Sequence, residues 1–139
     1  MHTNSPPLTV LVVDDDALIC RAYERLLRAR GWRVLTAAGP REALAHYAAA
    51  DVVLSDWCMP SGGGERVLRE SPVPVVIHAA SYVGSHPWTV AKPSPIDRVV
   101  AELVRALAAA RRDDAMAAER AETIEAMHAL LPTLAGVQS

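Results

Sequence analysis

Three acidic residues in a row, Asp14, Asp15 and Asp16, directly follow the apolar run LTVLVV at positions 8–13, and a further one, Asp56, closes the run DVVLSD at 51–56. Short, β-branched apolar runs of this kind suit strands buried on both faces of a parallel sheet, so each acid stands at a strand end. If the first and third strands are neighbours, Asp14, Asp15 and Asp56 come within a few ångströms of each other. Two carboxylates ~4 Å apart repel by roughly 4 kcal/mol at an effective dielectric of 20, so the cluster needs a proton, a cation or a metal. Oxygen-only donors favour Mg²⁺ or Ca²⁺, and a site with few carboxylates and open positions suits a partly hydrated Mg²⁺. A blander role is available, in which Asp15 or Asp16 merely caps the following helix. A run of three with a fourth carboxylate two strands away weighs against capping alone.

Lys92 is the only lysine among fourteen basic residues, the others being arginine. It follows the segment 88–91, which reads as a fifth strand, and precedes Pro93, a residue compatible with a turn and a cis bond. From that strand end an ammonium can reach the carboxylates; the competing reading is a surface charge without partners. The five histidines show no ligand spacing, and His78, inside an apolar run, reads as a satisfied core residue. Cys58 has no basic neighbour in sequence to activate it, so it is assigned no nucleophilic role.

The elements that must position these groups alternate. A helix over 17–30, with Leu18, Ile19, Tyr23, Leu26 and Leu27 on one side, ends at Gly31. A strand at 32–38 follows, and Gly39-Pro40 opens a helix to about residue 50. After the third strand, Pro60 and Gly62-Gly63-Gly64 read as a loop, 65–70 as a short helix and 73–80 as a fourth strand. Ser94 as N-cap with Pro95 at the first helical position starts a helix through Ile96, Val99, Val100, Leu103, Val104 and Leu107. Such alternation implies βαβ units with right-handed crossovers, and open sheets of this type hold ligands at the carboxyl ends of their strands.

The residues Val12-Val13-Asp14-Asp15-Asp16, Asp51 to Pro60 with Gly64, and Lys92-Pro93 together resemble the receiver domain of bacterial two-component response regulators, over about residues 8–112. The resemblance implies an α/β, flavodoxin-like, doubly wound parallel sheet of five strands in the order 2-1-3-4-5, with 113–139 as a C-terminal helical extension. It makes Asp56 the phosphoacceptor, taking a phosphoryl group from a sensor histidine kinase. Asp15, Asp56 and the main-chain carbonyl of Cys58 would ligate Mg²⁺, with Asp14 acting through a bound water, while Lys92 would pair with the phosphoryl oxygens. Phosphoryl transfer needs alignment and charge neutralisation more than covalent assistance, which this set supplies.

The chain departs from that pattern in two respects. Where the family carries a Thr or Ser at the end of the fourth strand, this sequence has Ala79, and the usual aromatic before the lysine is Thr89. Only seven residues separate Ala80 from Trp88, too few for a helical crossover, so the family's fourth helix cannot fit. Its loss is expected to leave apolar surface over strands four and five. The segment 115–131, with Met116, Ile124, Met127, Leu131 and Leu134 near one face, is the natural cover, its own chain's or a partner's; a homodimer through this tail is the expectation. The cluster Arg111-Arg112-Asp113-Asp114 is compatible with either a continuous helix or a break.

With 139 residues, 51% hydrophobic and 22% charged, and a net charge of −2, the chain can bury a core and has no excess of basic charge for direct nucleic-acid binding. No signal-like or membrane-length apolar run is present, and two cysteines without ligand spacing fit free thiols, so a cytoplasmic location is expected. Function divides between a phosphoacceptor switch, which is no enzyme with an external substrate, and a pseudo-receiver that keeps the acidic site but acts by dimerisation or partner binding. A haloacid-dehalogenase-like phosphatase could match Asp14 and Asp16 but lacks the following Thr and the late acidic residues.

Overall fold

The computed structural model describes residues 7–81 and 84–137, the side chains of 61 and of 131–137 excepted. Five parallel strands, β1 (Thr9–Val13), β2 (Arg33–Ala37), β3 (Val52–Asp56), β4 (Val75–Ala79) and β5 (Thr89–Ala91), form one sheet in the order β2-β1-β3-β4-β5. The expected topology is present in full. Alternate residues of each strand feed two cores. Val10, Val12, Val52, Leu54, Val76 and Val90 face α1 (Ala17–Arg28) and the start of α4 (Ile96–Val137). Leu11, Val13, Val53, Val75 and Ile77 join Tyr47, Met59 and Val67 on the other side. The register that produces this alternation sets Val13 beside Ser55 and Asp56 beside His78, so the strand ends line up at one edge of the sheet.

Helix α1 starts where Asp16 accepts the amide of Leu18 at 2.9 Å, so for this one acid the capping role is real. It ends at Arg28, and Gly31, at φ +87°, turns the chain so that the Trp32 amide closes onto the Leu27 carbonyl. Trp32 and Leu27 are thereby both buried.

Four local readings change. The helix expected over 40–50 is a single turn, α2 (Pro40–Ala43), followed by a 3-10 turn at Tyr47–Ala49. Its interior is rich in the helix formers Ala, Leu, Glu and Arg, but the chain must bury Tyr47 and Ala50 and deliver Asp51, whose amide reaches the Thr9 carbonyl and whose carboxylate accepts the Thr9 amide. Packing overrides propensity here. Second, the loop expected at 60–64 is a 3-10 turn at Pro60–Gly62 running into α3 (Gly63–Glu70). Third, Ser94 is not the N-cap of α4: its hydroxyl donates to the Ala91 carbonyl, and the Pro95 carbonyl receives the first helical amides, those of Arg98 and Val99. Fourth, among the described residues no helix lies between β4 and β5, as expected, yet the bare apolar strip does not result. Val75, Ile77 and Ala79 of β4 are all buried, and the exposed positions of β5 are the small residues Thr89 and Ala91.

Helix α4 runs without interruption through the 111–114 charge cluster. By compactness the chain divides inside it, one unit ending at Leu107 and another beginning at Ala108. Residues 111–130 are exposed; Leu131 and Leu134, part of the expected tail face, have side chains outside the described residues. Among the described residues no helix is long and apolar enough to cross a membrane.

Candidate functional site

The site is built from three strand ends. Asp14 follows β1 and is 3% exposed, with its amide bonded to the Ala37 carbonyl of β2. Its Oδ1 accepts the Asp16 amide at 2.9 Å, and its Oδ2 accepts the Lys92 ammonium, also at 2.9 Å. Lys92 is fixed from behind, its backbone amide donating to the Ala79 carbonyl at 3.0 Å, and its peptide to Pro93 is cis. The same ammonium lies 3.8 Å from Oδ1 of Asp56, the last residue of β3, which also accepts the Trp57 amide at 2.8 Å. The surface-charge reading of Lys92 is thus set aside by geometry: the lone lysine bridges two of the strand-end acids.

Asp14, Asp15 and Asp56 each offer a carboxylate oxygen within 4.8 Å of the others. Asp14 and Asp56 are buried, while Asp15 is exposed. Burial is the main cause that pushes the Asp56 carboxyl above the usual carboxylate range, the charge of Asp14 adds to it, and Lys92 and the Trp57 amide oppose it. For Lys92, burial disfavours the ammonium, but the hydrogen bond to Asp14 and the charges of Asp14, Asp56 and Asp15 outweigh it, and its pKa rises. One ammonium therefore faces three carboxylates.

Gly64 lets the loop after β3 close over this edge. Its amide donates to the Trp57 carbonyl at 3.0 Å, and a Cβ there would stand 2.5 Å from the Trp57 Cα and 2.6 Å from the Asp56 carbonyl oxygen. The tight backbone approach requires glycine. Cys58, in the same loop, is an exposed free thiol. Ala79 is buried and brings no hydroxyl to the site; Ser81 and Thr89 are exposed.

One pair was not legible in advance. His78, register partner of Asp56, is 2% exposed and its Nε2 lies 2.7 Å from the Tyr23 hydroxyl of α1. The rings meet edge to face at 4.9 Å. Burial, then the charge of Lys92, lowers the His78 pKa to about 4, and burial raises that of Tyr23 to about 12, so both are neutral at physiological pH. The histidine is indeed a satisfied core residue. The partner's signal, an apolar-face tyrosine on the first helix, names no specific contact.

A profile of the response regulator receiver domain matches residues 10–81, just over half of the chain. Among solved structures, the receiver domain of the hybrid histidine kinase CckA is 29% identical, with a TM-score of 0.62, covering 71% of this chain and 98% of that one. The chemotaxis response regulator CheY4 of Vibrio cholerae is 27% identical, with a TM-score of 0.60, covering 72% and 98%. A CheY-like receiver domain protein from Methanospirillum hungatei, at 17% identity and a TM-score of 0.65 over 77% and 98%, shares the fold. No curated protein sequence matches the chain. With its strand order, its acid-bearing strand ends and this match, the chain belongs to the response regulator receiver domain family.

Proposed function

We propose that the protein is a phosphoacceptor switch in a two-component phosphorelay, with Asp56 as the acceptor and a sensor histidine kinase as donor. The observation that carries this reading is the lone lysine bridging Asp14 and Asp56 at the edge where three carboxylates meet. In the transfer, a carboxylate oxygen of Asp56 attacks phosphorus, the N–P bond of the donor phosphohistidine breaks, and its electron pair returns to the imidazole. The Trp57 amide and Lys92 engage Oδ1, which leaves Oδ2 as the attacking oxygen. Lys92 then stands ready to pair with a phosphoryl oxygen, and the buried setting makes its charge count for more than in water.

The donor set fits Mg²⁺: all ligands are oxygen, and one ammonium leaves three carboxylates under-neutralised. Asp14, Asp15, Asp56 and the main-chain carbonyl of Cys58 would hold the ion, Asp14 through water. When bound, it neutralises the carboxylates and draws charge from the phosphoryl oxygens. The location follows as cytoplasmic, and partners are the kinase and, through the C-terminal helix, a second copy of the chain.

Incubation with Mg²⁺ and acetyl phosphate, followed by intact mass, should show one base-labile phosphoryl adduct that Asp56→Asn abolishes. Equal labelling of Asp56→Asn on another aspartate refutes the assignment. A second reading, a pseudo-receiver acting by partner binding without phosphorylation, is favoured by Ala79 and by the lack, among the described residues, of a helix between β4 and β5. It expects no adduct at all.

A further inference from the structure

Register and alternation set three polar side chains in one row. Val13 stands beside Ser55, so Asp14 follows beside Asp56, and Asp56 stands beside His78. Val12, Leu54 and Val76, two residues earlier on the same strands, face α1, and a strand returns to the same face every second residue, so Asp14, Asp56 and His78 face α1 as well. Asp56 is thus flanked by a carboxylate on one side and an imidazole on the other. The imidazole is held from α1: the Tyr23 hydroxyl lies 2.7 Å from its Nε2, and the two rings meet edge to face.

Behind that imidazole lies open space. A groove of about 230 Å³ runs between α1 and the start of α4, with Ile19, Leu26 and Ile96 as apolar walls and Tyr23, His78 and Lys92 also along it. At about 30 Å³ per molecule it has room for several waters. Asp56 does not reach it: the carboxylate residue is 9% exposed, the histidine 2%, and the imidazole stands between carboxylate and groove. A strand position with Val76 before it and Val90 beside it would take an apolar side chain that needs no partner. A histidine there needs one, and among the described residues Tyr23 supplies it.

We propose that His78, anchored by Tyr23, is a positioning residue that keeps groove water off the flank of Asp56 and so lengthens the life of the phosphorylated state. The inference rests on Asp56 as the acceptor. Hydrolysis of an aspartyl phosphate joins a water oxygen to phosphorus, breaks the bond from phosphorus to the Asp56 oxygen, returns that electron pair to Asp56 as a carboxylate, and leaves the protons of the water with the phosphate. The departing carboxylate is the group that nearby water stabilises most, so a dry flank holds the bond and a wet one releases it.

The half-life of the adduct tests this, in the full chain with Mg²⁺, followed by intact mass after acetyl phosphate is removed on a desalting column. Tyr23→Phe keeps both rings and drops only the hydroxyl; it should still label on Asp56 and lose the adduct about fivefold faster, roughly the worth of one hydrogen bond. His78→Ala should shorten the half-life at least as much. Tyr23→Phe combined with His78→Leu, which fills the row with an apolar side chain and strands no hydroxyl, should restore the wild-type value. Leu26→Ala, which widens the groove but leaves the imidazole anchored, should lower the urea midpoint and not the half-life, so lost stability and lost shielding are read apart. Wild-type half-lives in Tyr23→Phe and His78→Ala, no rescue by leucine, or equal shortening in Leu26→Ala would each overturn the shielding role and leave Asp56 as acceptor. A wild type that takes no phosphoryl group overturns both.

Discussion

Removing the charge of Asp56, the proposed acceptor, should stabilise the metal-free protein. Asp56 lies 3.8 Å from the Lys92 ammonium and within 4.8 Å of Asp14 and Asp15. At an effective dielectric of 20 the attraction amounts to about 4 kcal/mol and the repulsion from Asp14 alone to about 3.5 kcal/mol, with a screened contribution from exposed Asp15. The charges nearly cancel, so burial of the carboxylate decides the sign, in agreement with its raised pKa. Asp56→Asn sheds that cost, keeps an oxygen for the Trp57 amide, and leaves Lys92 on Asp14. A gain of about 1–2 kcal/mol is expected, or at least about 4 °C in Tm. An acid whose folded pKa is raised gives stability that is complete below its unfolded pKa and lost as pH rises through the folded one. The advantage of Asn should therefore be full at neutral pH and shrink on acidification as Asp56 protonates. Thermal melts of both proteins in chelator across pH measure it; added Mg²⁺ should stabilise the wild type and close the gap. An Asn variant less stable than wild type in chelator, or a gap that widens towards acid, would refute the electrostatic account.

Further outcomes follow from the same edge of the sheet. Lys92→Ala strands the buried Asp14 carboxylate without its cation and should cost about 3 kcal/mol in urea melts, whereas Lys92→Arg should keep most of the stability but impair phosphoryl transfer, because a planar guanidinium does not fit the place of a compact ammonium. His78, neutral when folded with a pKa of about 4, contributes stability that is present above its unfolded pKa of 6.5 and is lost as pH falls through that window, on the order of 3 kcal/mol; Tyr23→Phe should remove about 1–3 kcal/mol at neutral pH, read from the urea midpoint.

What the sequence made legible was what depends on strand ends. Leu8–Val13, Asp51–Asp56 and Val73–Ala80 are apolar on both faces, which specifies a parallel sheet, and a parallel sheet gathers Asp14, Asp56 and Lys92 at one edge whatever the helices do. Segment 40–50 was not legible because its residues favour helix while the burial of Tyr47 and the Thr9–Asp51 contacts demand a break. Nor was the cover of β4. Counting residues between Ala80 and Trp88 removes a helix, but it does not show that Val75 and Ile77 are already enclosed with Met59 and Val67 from the α3 side. The Tyr23–His78 contact joins residues fifty-five apart, and no local pattern encodes it.

The two departures from the family pattern bear on the same question, how an event at Asp56 is felt elsewhere. With Ala79 in place of a hydroxyl and, among the described residues, no helix between β4 and β5, the remaining contacts of the site lead in another direction. Lys92, on Asp14 and Asp56, begins the turn Lys92-Pro93, which with Ile19, Tyr23, Leu26 and Ile96 lines the groove between α1 and the start of α4, and His78, the register neighbour of Asp56, holds the Tyr23 hydroxyl in the same groove. Both are hydrogen-bonded or ion-paired, and both are partly or wholly buried, so a new dianionic group on Asp56 would act on Lys92 first and on the groove wall next. On the proposed reading of Asp56 as acceptor, these contacts lead to the face between α1 and the start of α4.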